Sequence, residues 1–136
     1  MSPAVRVQDC MRPGDLAVAW DDSADAAFAR MRGAGLDAIP VISEYGVIGL
    51  LERSAAHACR EVGMRSVSVP VANLMRRGAF VCRASDTVEQ ARAAMDRLEV
   101  DLLAVIDGAG RVVGVIGCDQ DDVTWRCLVP AFYSSY

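Results

Sequence analysis

The sequence predicts an α/β fold of the α+β kind, made of two βαββα repeats. Three observations carry the prediction. First, Val7, Met11, Arg12, Gly14, Asp22, Ala27, Ala29, Met31, Asp37, Val41, Ile42 and Gly46 recur 64 residues later as Val71, Met75, Arg76, Gly78, Asp86, Ala91, Ala93, Met95, Asp101, Val105, Ile106 and Gly110. Second, each copy alternates one helix-period stretch with short β-branched runs. Third, past Gly46 the offset becomes 65, with Gly49 matching Gly114, so the drift falls in a loop, where repeats tolerate it best. A duplicated half that cannot bury its apolar face alone is expected to pack on its twin around an approximate two-fold axis and leave a cleft there.

In the first copy, Val7, Cys10 and Met11 share one face of a short leading turn that ends near Arg12-Pro13-Gly14. Leu16 to Trp20 reads as a brief strand. Asp22 or Ser23 can cap a helix whose Ala24, Ala27, Phe28 and Met31 fall on one face, with Gly33 and Gly35 as its stop. Ile39 to Ile42 and Val47 to Leu51, joined by the turn Ser43 to Gly46, predict a β-hairpin. A helix from about Arg53 to Val62 closes the copy.

In the second copy, Val71, Leu74 and Met75 repeat the leading turn and Phe80 to Cys82 the strand. Asp86-Thr-Val-Glu89 offers an acidic cap for a helix with Val88, Ala91, Met95 and Leu98 on its apolar face. Leu102 to Ile106 and Arg111 to Ile116 flank Asp107-Gly108-Ala109-Gly110, where Asp-Gly supplies residues tolerant of positive φ. The organisation is thus repeat 1 over 1–62, a Gly/Ser linker at 63–68, repeat 2 over 69–128 and an aromatic tail at 129–136. Val123 to Leu128 reads as a helix stopped by Pro130, and Phe132, Tyr133 and Tyr136 are expected to pack on the body or on a second subunit.

At 136 residues the chain can bury one sizeable core without metal or disulfide. An apolar fraction of 53%, much of it Ala and Val, points to a surface that forms a homodimer. All fourteen basic residues are Arg, which reflects the coding bias of a GC-rich genome, and the net charge is −4. With no basic block longer than Arg76-Arg77, the positive footprint needed for nucleic acid is missing. Five cysteines without a Cys-x-x-Cys pair suggest neither a disulfide framework nor a zinc site, so free thiols in a reducing cytoplasm are expected. No apolar run reaches the roughly 18 residues of a membrane span, and the expectation is a soluble cytoplasmic protein.

No nucleophile, base and orienting group can be placed together, so no catalytic residue is assigned and the chain is not expected to be an enzyme. His57, alone among alanines, reads as a solvated helix residue. Met31 and Met95 read as core, and no metal site is assigned. Gly-rich phosphate loops are absent, and Asp21-Asp22 and Asp121-Asp122 are neighbours whose side chains diverge.

Taken together, Val7-x-Asp9-Cys10-Met11-Arg12, the helix from Asp22 to Met31, Ala38-Ile-Pro-Val-Ile42 and Gly46-Val-Ile-Gly-Leu-Leu51 resemble the pattern of a cystathionine β-synthase (CBS) domain. Val71 to Arg76, Asp86 to Met95, Leu102 to Asp107 and Gly110 to Ile116 repeat it, so nearly the whole chain resembles a tandem CBS pair, or Bateman module. The resemblance implies two copies packed sheet to sheet with pseudo-two-fold symmetry, two chains joined in a flat disc, and a regulatory role. It also implies a ligand such as AMP, ADP, ATP or S-adenosylmethionine, with no cofactor required. The signal would pass to an unknown effector protein, and neither nucleic acid nor a membrane is implied.

By the same resemblance, the cleft walls are Met11-Arg12-Pro13-Gly14, Met75-Arg76-Arg77-Gly78, Asp37-Ala38-Ile39-Pro40 and Asp101-Leu102-Leu103-Ala104. Apolar walls with backbone donors suit a flat purine. Arg12, Arg53, Arg76 and Arg77 either hold phosphate or pair with nearby acids. After each third strand the family carries Gly, two apolar residues, Thr or Ser, two variable residues, then a ribose-binding Asp. Here Glu52 and Ala55, then Gly117 and Gln120, occupy the hydroxyl and Asp positions. A slip of one residue brings Cys118 and Asp121 to the same spacing, with Asp119 or Asp122 also in reach of a ribose. Two functions follow: a stand-alone module that senses an adenosine-containing ligand, or a dimerisation scaffold with degenerate sites.

Overall fold

The computed structural model describes residues 5–61 and 69–117. It is a mixed α+β structure with two four-stranded sheets. The described residues divide into two compact units, one within Ala17–Ala79 and the other formed by residues 5–16 together with 80–117. The expected linker at 63–68, the helix at 123–128 and the aromatic tail lie outside the described residues.

In the Ala17–Ala79 unit, β2 (Val18–Ala19) runs parallel to β3 (Ala38–Ser43), which forms a hairpin with β4 (Gly46–Glu52). The helix α2 (Ala24–Ala34) lies between β2 and β3 in sequence, and α3 (Arg53–Glu61) follows β4. Ser23 caps α2 by accepting from the Ala26 amide at 3.2 Å, and Gly35 ends it in the left-handed region at φ 68°. Gly33 therefore stays inside the helix. Ala24, Ala27, Phe28 and Met31 are all buried, as their spacing predicts, and α2 packs on β3 and α3. The first strand is shorter than the expected Leu16 to Trp20: Val18 and Ala19 pair with Val41 and Ile42, and the Trp20 amide adds a last bond to the Ile42 carbonyl at 3.0 Å.

The other unit repeats this plan with β6 (Val81–Arg83), α4 (Val88–Leu98), β7 (Leu102–Ile106) and β8 (Val112–Gly117). Ala91 and Met95 are buried and Val88 and Leu98 half-buried. The cap of α4 corrects the sequence reading. Thr87, not Asp86, accepts from the Gln90 amide at 3.1 Å, while the Gln90 side chain accepts from the Thr87 amide at 2.8 Å. Asp86 is used one turn earlier, accepting from the Arg83 amide at 2.8 Å. The C-cap of α4 is Glu99 at φ 56°, where the first copy has Gly35. In the second hairpin the positive φ falls on Gly110, at 83°, rather than on the Asp-Gly pair. Asp107 instead accepts from the Ala109 and Arg111 amides at 2.9 and 3.0 Å, and these bonds hold its carboxyl below the usual carboxylate range. Both hairpins carry a register shift at the same place, Val41/Ile42 and Val105/Ile106.

The leading segments do something that their sequence does not announce. After α1 (Val7–Cys10), Arg12–Pro13 forms β1, which pairs antiparallel with β8 of the second copy. After a 3-10 turn at Val71–Asn73, Arg76–Arg77 forms β5, which pairs antiparallel with β4 of the first copy. Matching backbone bonds fix each leader: Val7 to Asp86 and Val71 to Asp22, Gln8 to Ala84 and Ala72 to Trp20, Gly14 to Val113 and Gly78 to Ile48, all between 2.8 and 3.0 Å. Each sheet is thus three strands from one copy edged by a two-residue strand from the other. The close approach is set by glycine: a Cβ on Gly49 would lie 2.6 Å from the Arg76 carbonyl oxygen, and one on Gly114 2.5 Å from that of Arg12.

Candidate functional site

In the Ala17–Ala79 unit, the strand-to-helix junction gathers four charged side chains. Ala38, first in β3, sits opposite Glu52, last in β4, and α3 starts at the next residue, Arg53. The Arg53 amide donates to the Asp37 carbonyl at 2.8 Å, which ties the helix start to the residue before β3. The Arg53 guanidinium lies 2.9 Å from the Asp37 carboxylate. Arg76, opposite Leu50 on β5, reaches diagonally along the same sheet face to Glu52 at 3.6 Å. The first pair is largely exposed (70% and 82%) and worth about 0–1 kcal/mol; the second is more enclosed (40% and 35%). Glu52 also precedes α3, where a carboxylate suits the helix dipole. The junction offers anion and cation partners side by side.

The expected apolar walls are part of the sheet. Ala38, Ile39 and Pro40 are buried opposite Glu52, Leu51 and Leu50. Arg77 is exposed on β5 opposite Gly49. The structure therefore brings Ala38, Arg53 and Arg76 together and adds Asp37 and Glu52 as their ion-pair partners. Asp37 recurs as Asp101, which was the available signal; Glu52 has no counterpart, and its partner Arg76 is distant in sequence.

The second unit reproduces the register with different chemistry. Arg12, half-buried, sits opposite Val115, and the exposed Pro13 opposite Gly114. Leu102 and Leu103, buried, lie opposite Gly117 and Ile116. The position of Glu52 is thus taken by Gly117, which has no side chain. Cys118, Asp119 and Asp121 lie outside the described residues.

Other reactive groups are structural. Cys10, Cys59 and Cys82 are free thiols and buried. Burial, aided by the nearby Asp86 charge, pushes the Cys82 thiol up to about 12. His57 lies on the exposed surface of α3, 3.1 Å from Glu61 one turn on. Among the described residues no His, Cys, Asp and Glu cluster could hold a metal ion, and no helix is long and apolar enough to cross a membrane.

Comparison with known proteins matches this arrangement. A conserved CBS domain protein of unknown function from Thermoplasma acidophilum superposes with a TM-score of 0.70 at 23% identity, over 85% of this chain and 66% of that one, so the chain spans about two thirds of its length. The CBS domain pair of protein MJ0100, solved in complex with 5′-methylthioadenosine and S-adenosyl-L-methionine, gives 0.72 at 16% identity over 85% and 90%. CBSX2, a CBS-pair protein from Arabidopsis thaliana, solved in complex with AMP, gives 0.66 at 22% identity over 83% and 90%. At these identities the likeness is one of fold. The family model for the CBS domain matches twice, over residues 7–55 and 71–118, the two copies whose leaders and hairpins are described above, and the chain therefore belongs to the CBS domain family.

Proposed function

We propose that this protein is a regulatory module that binds an adenosine-containing ligand and passes its occupancy to a partner protein. The observation that carries the reading is the complete duplication: both copies match the CBS domain, and similar CBS pairs were solved with AMP or with S-adenosyl-L-methionine. The chemistry available supports it. At the ends of β3 and β4, Arg53 and Arg76 stand beside Asp37 and Glu52, and such charged groups are the kind of contact that a nucleotide needs beside its apolar ones. CBS pairs act in general as regulators, so the output is a change in a partner and not a reaction.

The test is thermal denaturation of the full chain with AMP, ADP, ATP and S-adenosylmethionine. A ligand that binds only the folded state raises Tm with concentration, by the equivalent of about 2.7 kcal/mol at a hundred times Kd. A rise for at least one of the four is the expected result; no shift at millimolar ligand would overturn the proposal. In that case the second reading holds, a dimerisation scaffold. Its supporting observation is that Glu52 and Ala55 stand where the family pattern has a hydroxyl and a ribose-binding carboxylate. Losing such a charged hydrogen-bond partner costs about 1.5–3 kcal/mol, tenfold or more in affinity.

A further inference from the structure

We propose that Met11 and Met75 are a matched pair of oxidation sites: a peroxide converts each thioether to the sulfoxide and thereby loosens the two-residue strand, β1 or β5, that follows it.

Each methionine stands at the head of a leader strand. The Met11 amide donates to the Val7 carbonyl at 2.7 Å and the Met75 amide to the Val71 carbonyl at 3.0 Å, and β1 and β5 begin at the next residue. The side chains then lie against glycines of the opposite copy. The Met75 sulfur is 2.6 Å, and its Cγ 3.1 Å, from the point where a Cβ of Gly49 would stand; the Met11 sulfur is 3.0 Å from the corresponding point at Gly114. Each thioether therefore fills room that exists only because the facing residue has no side chain. The duplication has placed the same sulfur on the same notch twice.

The oxidant is hydrogen peroxide or an alkyl hydroperoxide. A sulfur lone pair attacks the outer peroxide oxygen, the O–O bond breaks and an S–O bond forms, and the remaining oxygen leaves as water or alcohol once it has taken up the proton. Sulfur gives up two electrons and the peroxide accepts them. Access selects the site. Among the described methionines, Met31 and Met95 are only 1% and 3% exposed, while Met11 and Met75 are half-buried, so the oxidant reaches the leader pair first. Cys10, Cys59 and Cys82 are buried, which shields these thiols.

The sulfoxide is bulkier than the thioether and polar. If it stays, its oxygen crowds a space already too tight for a Cβ. If it swings out to water, the glycine has no side chain to close the gap, and water reaches the backbone bonds between leader and hairpin. Both routes weaken a strand that pairs through only two residues. Methionine sulfoxide reductases with a dithiol reverse the change, returning the oxygen as water and leaving the dithiol as a disulfide.

The full chain is treated with hydrogen peroxide, quenched with catalase and held in dithiothreitol, which returns sulfenic acids and disulfides to thiols but leaves the sulfoxide. Peptide mass spectrometry is expected to find Met11 and Met75 one oxygen heavier before Met31 and Met95. Hydrogen exchange is expected to quicken about tenfold at the Gly14 and Gly78 amides, which donate to the Val113 and Ile48 carbonyls just past each leader strand, and to stay unchanged at the Ala104 amide, which donates to Phe80. Reductases for both sulfoxide epimers are expected to restore the original rates. The double replacement Met11→Leu and Met75→Leu, close in volume, is expected to keep its exchange rates under peroxide, and each single replacement to protect only its own leader. Oxidation of Met31 or Met95 ahead of the pair, sulfoxide at Met11 and Met75 without faster exchange, exchange that stays fast after the reductases, or the same acceleration in the double variant would each overturn the proposal. The first three are read on the wild type, so they decide it even if the leucine variants fail to fold.

Discussion

The replacement Gly49→Ala tests the idea that the two-residue strand β5 can pair with β4 only because position 49 carries no Cβ. The new Cβ would meet the Arg76 carbonyl oxygen at 2.6 Å and the Met75 sulfur at 2.6 Å, where ordinary contact begins at 3.4 Å. The sulfur sits on a flexible side chain and can swing away; the carbonyl belongs to the strand and cannot move without it. Clearing the clash shifts β5 by about 0.8 Å against β4, enough to weaken the antiparallel pairing at Leu50 and Arg76. Overpacking of this kind costs about 1–3 kcal/mol, and one weakened ladder bond adds about 1 kcal/mol. The expected loss is therefore about 2–4 kcal/mol, read from urea denaturation as a lower midpoint at unchanged m-value. Gly114→Ala, which meets the Arg12 carbonyl at 2.5 Å, is expected to behave alike. A loss below about 0.5 kcal/mol, the level of an ordinary surface substitution, would refute the reasoning.

Gly33→Ala changes the same atoms with the opposite sign: its Cβ meets nothing within 4 Å inside α2, so the helix is expected to gain about 0.5–1 kcal/mol in the same assay. Thr87→Ala removes one half of the α4 capping box and is expected to cost about 1 kcal/mol. Cys82 is held as a neutral thiol up to about 12 in the fold against 9.0 when free. Both states are protonated below pH 9, so the effect begins there: as pH rises from 9 toward 12 the unfolded chain loses this proton first, and stability falls. Cys82→Ala is expected to flatten that decline in pH-dependent denaturation. A dimer mass in light scattering at tens of micromolar is expected from the apolar composition, and a monomer mass would count against it.

What the sequence discloses follows the length of the pattern involved. The apolar face of α2 repeats over three turns, and all four residues read from it are buried. The hairpins are legible because β-branched runs flank turn residues, and the one-residue offset after Gly46 reappears as Ile42 facing Val47 and Ile106 facing Val112. By contrast, β1 and β5 are two residues each and have no period to detect. Glu99 gives no composition signal for its left-handed backbone; only its place 64 residues after Gly35 marks it. At the candidate site, arginines were recognisable as residue types, but their partners were not. Whether Arg76 is paired depends on the β4–β5 register, which brings it diagonal to Glu52 across a long stretch of chain.

The exchange of leaders between copies bears on where this gene can be cut. A fragment ending before the second leader would keep β2, β3 and β4 but leave the outer edge of β4 bare, while its own β1 would have no β8 to join. The complementary fragment would suffer the reciprocal defect. Mixed together, the fragments hold every missing piece of each other, so they are expected to reassociate by trading arms. A lone ancestral copy would meet its needs in the same manner, by swapping arms with an identical neighbour, and fusion of two such genes would make that partnership permanent.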